Sequence, residues 1–193
     1  MRVFIALELS PAVKEAVAAI QRKLMTSEAD VGWVRAEGMH LTLKFLGEVS
    51  PSRLPEIETA LSRAAKGLPA GQAGTGSLKI TVRGLGVFPN PKNPRVIWLG
   101  IEPEDDRLLR LYERIDRAMA PLGFRPENRE FHPHLTLGRV KSSRGGVDEM
   151  MKTLSVHHNV LAGECAPGEL HLIESELKPG GAVYKKIRSF TLS

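Results

Sequence analysis

The chain has 193 residues, 42% of them apolar, with 27 basic against 22 acidic side chains, a formal charge of +5 and a sequence pI near 9.5. That length fills one domain or a compact two-lobed unit, and the basic excess suits a polyanionic partner without demanding one. The lone cysteine, Cys165, excludes an internal disulfide framework and any multi-cysteine metal cage, and no apolar run approaches the roughly 18 residues of a membrane span.

The opening run, Arg2-Val3-Phe4-Ile5-Ala6-Leu7-Glu8, meets an acidic residue too early for a signal-peptide core, so a cytoplasmic protein is expected. Residues 3–7 within it predict a short strand. Ser10-Pro11 then offers an N-cap with proline at the first helical position, and Val13, Val17, Ile20 and Leu24 recur at helical spacing. His40-Leu41-Thr42-Leu43 alternates polar and apolar side chains, as a half-buried strand does. Ser50-Pro51 opens a second helix carrying Leu54, Ile57, Leu61 and Ala65, a Gly-rich loop covers 72–77, and residues 78–82 return to strand.

The order then repeats. A turn, Pro89-Asn90-Pro91-Lys92-Asn93-Pro94, leads into a strand at 95–101, and a helix follows with Leu108, Leu111, Ile115, Met119 and Leu122 on one face. The tetrapeptide returns as His134-Leu135-Thr136-Leu137. Its separation from Val96 matches that of His40 from Val3 to within one residue. A shorter helix with Val147, Met150, Met151 and Leu154, a strand at 170–173, a turn at Lys178-Pro179-Gly180-Gly181 and a strand at 183–192 complete the second copy. This duplication predicts an α+β fold of two similar lobes, each an antiparallel sheet with helices on its outer face. A pseudo-two-fold axis between the copies would set the motif strands on opposite walls of one active-site cleft.

On a strand, each copy shows a His and a Thr on one side and two leucines on the other. One copy alone describes any solvated strand face. Two copies at equivalent places in a repeat point to chemistry, because drift has no reason to keep the same two polar residues in both. A pair of imidazoles, one neutral and one protonated near neutral pH, can act as general base and general acid, while two hydroxyls hold the oxygens of a phosphorus centre. Such a site suits a strained ester or an activated leaving group.

The tetrapeptides and their surroundings resemble the two-histidine (2H) phosphoesterases, and among them the RNA 2′,3′-cyclic phosphodiesterase family, also called LigT-like or 2′-5′ RNA ligases. The resemblance extends through Arg2-Val3-Phe4-Ile5-Ala6-Leu7, Trp33-Val34, His40 to Gly47, Gly86-Val87-Phe88-Pro89, Val96-Ile97-Trp98-Leu99-Gly100, Phe131 to Arg139, Ser175-Glu176-Leu177 and Gly181-Ala182-Val183-Tyr184. It implies that residues 1–193 form a single bilobal domain, and that the protein opens a 2′,3′-cyclic phosphate on RNA or an oligonucleotide to a 2′-phosphate. It implies a metal-free enzyme; no cofactor, no membrane partner and a monomer are also expected. By position His40 matches the family's proton donor and His134 its proton acceptor, while Thr42 and Thr136 match the phosphate-binding hydroxyls. Phe45 and Arg139 match places that help hold the terminal base and phosphate, yet plain alternation sets both on the leucine side. A bulge or strand end near Gly47 and Gly138 would be needed to turn them. The alternatives are 2′-5′ RNA ligation or a broader cyclic-nucleotide phosphodiesterase activity in the same cleft, or a non-catalytic RNA-binding module.

Among the remaining candidates, Lys44 continues the His40–Thr42 alternation and is expected to lend positive potential to the cleft. Arg95, Lys185, Lys186 and Arg188 stand near turns at the expected cleft rim. His171, between two leucines, is expected to face solvent, and Trp33 and Trp98 to join the core. Metal ligation by the His132-Pro133-His134 pair with His157 and His158 finds no carboxylate at ligand spacing, and a helix C-terminus explains the last two better.

Overall fold

Two antiparallel sheets stand edge to edge in the computed structural model, which describes residues 1–68, 78–128, 130–142, 145–178 and 181–193. The expected loop at 72–77 and the Pro179-Gly180 turn lie outside the described residues. In chain order the elements are β1 (Arg2–Glu8), α1 (Pro11–Leu24), β2 (Val31–Trp33), β3 (His40–Glu48), α2 (Leu54–Ala65), β4 (Ile80–Phe88), β5 (Val96–Pro103), α3 (Arg107–Met119), β6 (His134–Val140), α4 (Val147–Val156), β7 (Leu161–Cys165), β8 (Glu169–Lys178) and β9 (Gly181–Thr191). The short strands β2 and β7 have no counterpart in the sequence pattern, because few residues leave alternation little to repeat.

The helices start where their caps lie. Ser10 Oγ accepts from Val13 N at 3.4 Å with Pro11 behind it, and Val13, Val17, Ile20 and Leu24 turn inward. Helix α3 stops before Leu122. A 3₁₀ turn, Ala120–Leu122, closes on Gly123 at φ +82, a left-handed conformation that halts helical growth.

One sheet has the order β3-β1-β8-β9 and the other β2-β6-β5-β4-β7. Helices α2 and α3 pack over the first, α1 and α4 over the second. The duplication is therefore real, but its two copies do not coincide with the two lobes. The first copy sends β1, β3 and α2 to one lobe and α1 and β4 to the other. The second copy sends β5, β6 and α4 to the latter, and α3 and β8 back to the former. Each sheet thus borrows two strands from the opposite copy: β8 and β9 extend the sheet from β1, and β2 and β4 flank β6 and β5. The motif leucines Leu41, Leu43, Leu135 and Leu137 are all buried in one continuous apolar core, where each such side chain contributes about 2 kcal/mol.

Candidate active site

Strands β3 and β6 share one burial rhythm from the motif histidine onward: half-buried His and Thr, buried leucines, then a buried, an exposed and a buried residue. Both rhythms break at the same place. Opposite β1 the register runs from Thr42 to Lys44 and Phe45, with a bulge at Leu43-Lys44. Opposite β5 it runs from Thr136 to Gly138 and Arg139, with a bulge at Leu137-Gly138. An extra residue reverses the parity of everything after it. Phe45 and Arg139 therefore return to the His-Thr face, Phe45 at 66% exposed. On β6 the bulge falls at the expected Gly138, whereas on β3 it precedes Phe45; the irregularity at Gly47 comes after that residue and does not turn it.

The sheets approach each other along β3 and β6. Strand β2 pairs with β6, Val34 N donates to Leu137 O at 2.9 Å, and the chain then passes through a 3₁₀ turn, Ala36–Gly38, directly into His40. The buried Gln21 amide clamps this crossing by donating to both Val34 O and Leu137 O at 2.7 and 2.9 Å. Sequence patterning offers no sign of that role, since a polar residue on an apolar helix face declares nothing about its partners.

His40 lies in an aromatic enclosure. Phe4 stacks on it at 4.6 Å, and Tyr184 from β9 meets it edge-on at 5.1 Å. Phe4, Ala6 and Ile173 form a small apolar cluster on this inner face, with Tyr184 against it. A Cβ on Gly38 would lie 2.7 Å from the Tyr184 ring, so glycine there lets the phenol close over the histidine. Burial, with the Lys14 charge adding to it and Glu8 opposing, brings His40 down to about 4. Glu8 is the cross-strand partner of His40 and pairs with Lys186 at 3.4 Å. Burial resists ionisation of Glu8, but Lys14, Lys186 and His171 hold its carboxyl below the usual range.

His134 has a different setting. Its Nδ1 is 2.7 Å from His132 O, so Nδ1–H donates there and the neutral ring presents Nε2 as an acceptor. Phe88 approaches edge-on at 5.1 Å and Trp98 lies 6.4 Å away. A Cβ on Gly86 would collide with the Trp98 indole at 2.1 Å, the counterpart of Gly38 beneath Tyr184. Burial pushes the Tyr184 phenol up, and the Arg139 charge on β6 opposes it.

Four side chains depart from their expected places. Lys44 is 3% exposed on the helix side of β3, because it occupies the bulge; its ammonium pairs with Asp116 and donates to Arg125 O. His171 is also 3% exposed, not solvent-facing, because it lies on the inner face beside Ala6 and bonds Ser189 Oγ at 2.9 Å. Trp98 pairs with Thr136 on the cleft side and not in the core, its Nε1 buried without a partner, while Trp33 packs half-buried against the core. Arg188 pairs with Glu58 on α2, away from the cleft. His132 is exposed near Glu130, and His157 ends α4 as its C-cap. Among the described residues no three His, Cys, Asp or Glu side chains gather in a metal-holding cluster.

The family model "LigT like Phosphoesterase" matches the chain twice in succession, over residues 7–98 and 99–184. A Methanothermobacter thermautotrophicus protein named RNA 2′,3′-cyclic phosphodiesterase is 36% identical over 192 residues, covering 100% of this chain and 99% of the relative. One from Thermotoga maritima with the same name is 37% identical over 185 residues, covering 96% and 92%. Among solved structures, a Thermus thermophilus protein superposes with TM-score 0.81 at 31% identity, covering 100% and 98%. Escherichia coli LigT complexed with 3′-AMP shares the fold at TM-score 0.76 and 24% identity, covering 100% and 98%.

Proposed function

The chain belongs to the LigT-like phosphoesterase family, and from that premise we propose that it hydrolyses 2′,3′-cyclic phosphate ends of RNA to 2′-phosphomonoesters, with His40 and His134 as acid and base. One observation carries the reading: two strands with identical burial and the same bulge each turn a His, a Thr and a third functional side chain to one face, in a chain related from end to end to named RNA 2′,3′-cyclic phosphodiesterases.

In this mechanism Nε2 of His134 takes a proton from water as the water oxygen bonds to phosphorus. The bond from phosphorus to the 3′-oxygen breaks, and His40 gives that oxygen its proton, leaving a 3′-hydroxyl and a 2′-phosphate. The Nδ1 anchor at His132 O suits His134 to accept. His40 is neutral in the empty site, so the arriving phosphate anion is what raises its proton affinity, and burial then makes it a strong acid. Thr42 and Thr136 donate hydroxyl hydrogens to the non-bridging oxygens as charge builds on them. Phe45 offers an exposed ring for the terminal base, and Arg139 a cation for the phosphate.

The protein is read as a cytoplasmic monomer acting without metal or cofactor. Both half-sites come from one chain, and no described helix is long and apolar enough to cross a membrane. Incubation with a 2′,3′-cyclic-phosphate oligonucleotide in EDTA tests the reaction. A 2′-phosphate product is expected, and a 3′-phosphate product or a requirement for added metal overturns it.

A further inference from the structure

Beyond His40, the inner face of the β3-β1-β8-β9 sheet ends in a pocket of about 230 Å³, lined by residues that include Glu8, Ser10, Cys165, Gly168, Glu169 and His171. We infer that this pocket holds the nucleoside preceding the cyclic-phosphate nucleotide, so that the protein favours an RNA end over a mononucleoside 2′,3′-cyclic phosphate. The inference rests on the reaction proposed above.

Position comes first. Glu8 belongs to the pocket wall and is the residue directly across from His40, so the pocket opens beside the acid and not at a remote surface. Along β3, Phe45 lies on the far side of Thr42 from His40, and the pocket lies on the near side. A terminal base on Phe45 and a second nucleoside in the pocket would thus flank the phosphate.

Chemistry selects the occupant. Two carboxylates, Glu8 and Glu169, and the buried His171 present acceptors; in the tautomer that donates Nδ1–H to Ser189, His171 Nε2 accepts as well. Such acceptors take an uncharged group bearing N–H and O–H donors, which describes a base amino edge and a ribose hydroxyl. Cations stand at the boundary with the catalytic face: Lys186 Nζ is 3.4 Å from the Glu8 carboxylate, and the Lys14 charge acts on Glu8, His40 and His171 alike. The phosphodiester joining the two nucleosides would lie against them.

The test compares kcat/KM for a mononucleoside 2′,3′-cyclic phosphate with that for a trinucleotide ending in the same group, in the wild type, Gly168→Trp and Glu169→Gln. Gly168 has no left-handed φ, and a Cβ there meets open space, so the indole enters the pocket without backbone strain. The wild type is expected to prefer the trinucleotide by about tenfold. Gly168→Trp should erase that preference while holding the mononucleotide within about twofold, and Glu169→Gln should reduce it. Equal rates on both substrates in the wild type, or parallel loss on both in the two variants, overturns the pocket assignment. A wild type that turns over neither substrate overturns the reaction itself.

Discussion

The β3 and β6 half-sites share a scaffold and differ in everything that surrounds it. The rhythm of burial, the bulge and the turn of the sixth side chain are the same. At the fifth position, however, β3 buries Lys44 in an ion pair with Asp116, whereas β6 has Gly138, with Val31 and Trp33 pressed where a Cβ would stand. His40 is enclosed by Phe4 and Tyr184, whereas His134 is tied through Nδ1 to a backbone carbonyl. Duplication thus supplied the pair of imidazoles, and neighbouring strands then gave each a separate setting, with burial lowering the proton affinity of His40.

Removing either imidazole should have the largest effect. His40→Ala or His134→Ala is expected to lower turnover of a cyclic-phosphate oligonucleotide by about 10²- to 10⁴-fold while leaving RNA affinity within a few-fold, measured by steady-state kinetics beside equilibrium binding. Equal losses of binding and turnover would make both half-sites mere binding surfaces.

The fifth positions separate next. Lys44→Met leaves Asp116 largely buried without its cation, and denaturant unfolding should show a loss of about 3 kcal/mol; Lys44→Met with Asp116→Leu should recover most of it. No recovery would mean that the pair is not what holds the β3 bulge.

pH reports on the burial of His40. His40 stands at about 4 in the folded protein against 6.5 ordinarily, so between those values the unfolded chain binds a proton that the folded chain does not. The stability this provides is whole above pH 6.5 and falls as pH drops through the window to about 4, by about 3 kcal/mol at most. His40→Gln should flatten that slope. Activity should follow a bell instead: His40 must carry a proton to donate while His134 must be neutral to accept, so kcat/KM falls on both sides of an optimum. A flat profile between about pH 5 and 8 would overturn the pairing of a protonated with a neutral imidazole.

The smallest effect belongs to the sixth position. Phe45→Ala should raise KM about tenfold through lost base stacking, with stability changed by less than about 0.5 kcal/mol because the ring is exposed. An unchanged KM would remove Phe45 from substrate binding.

The amino-acid order was enough to reveal the repeat, the helices α1 to α4 and the His-Thr faces of β3 and β6, because periodicity is a local property that a strand or helix carries with it. It also brought out the family resemblance. Where alternation fails was settled by strand pairing: Lys44 reads as a cleft residue until pairing with β1 inserts a bulge, and the same device returns Phe45 and Arg139 to the face of the motif His and Thr. His171 reads as solvent-facing until the inner face of its sheet encloses it. The exchange of β4 and β8 between copies, the Gln21 clamp and the low proton affinity of His40 depend on partners far away in the chain, and burial is a property of those partners rather than of the residue itself.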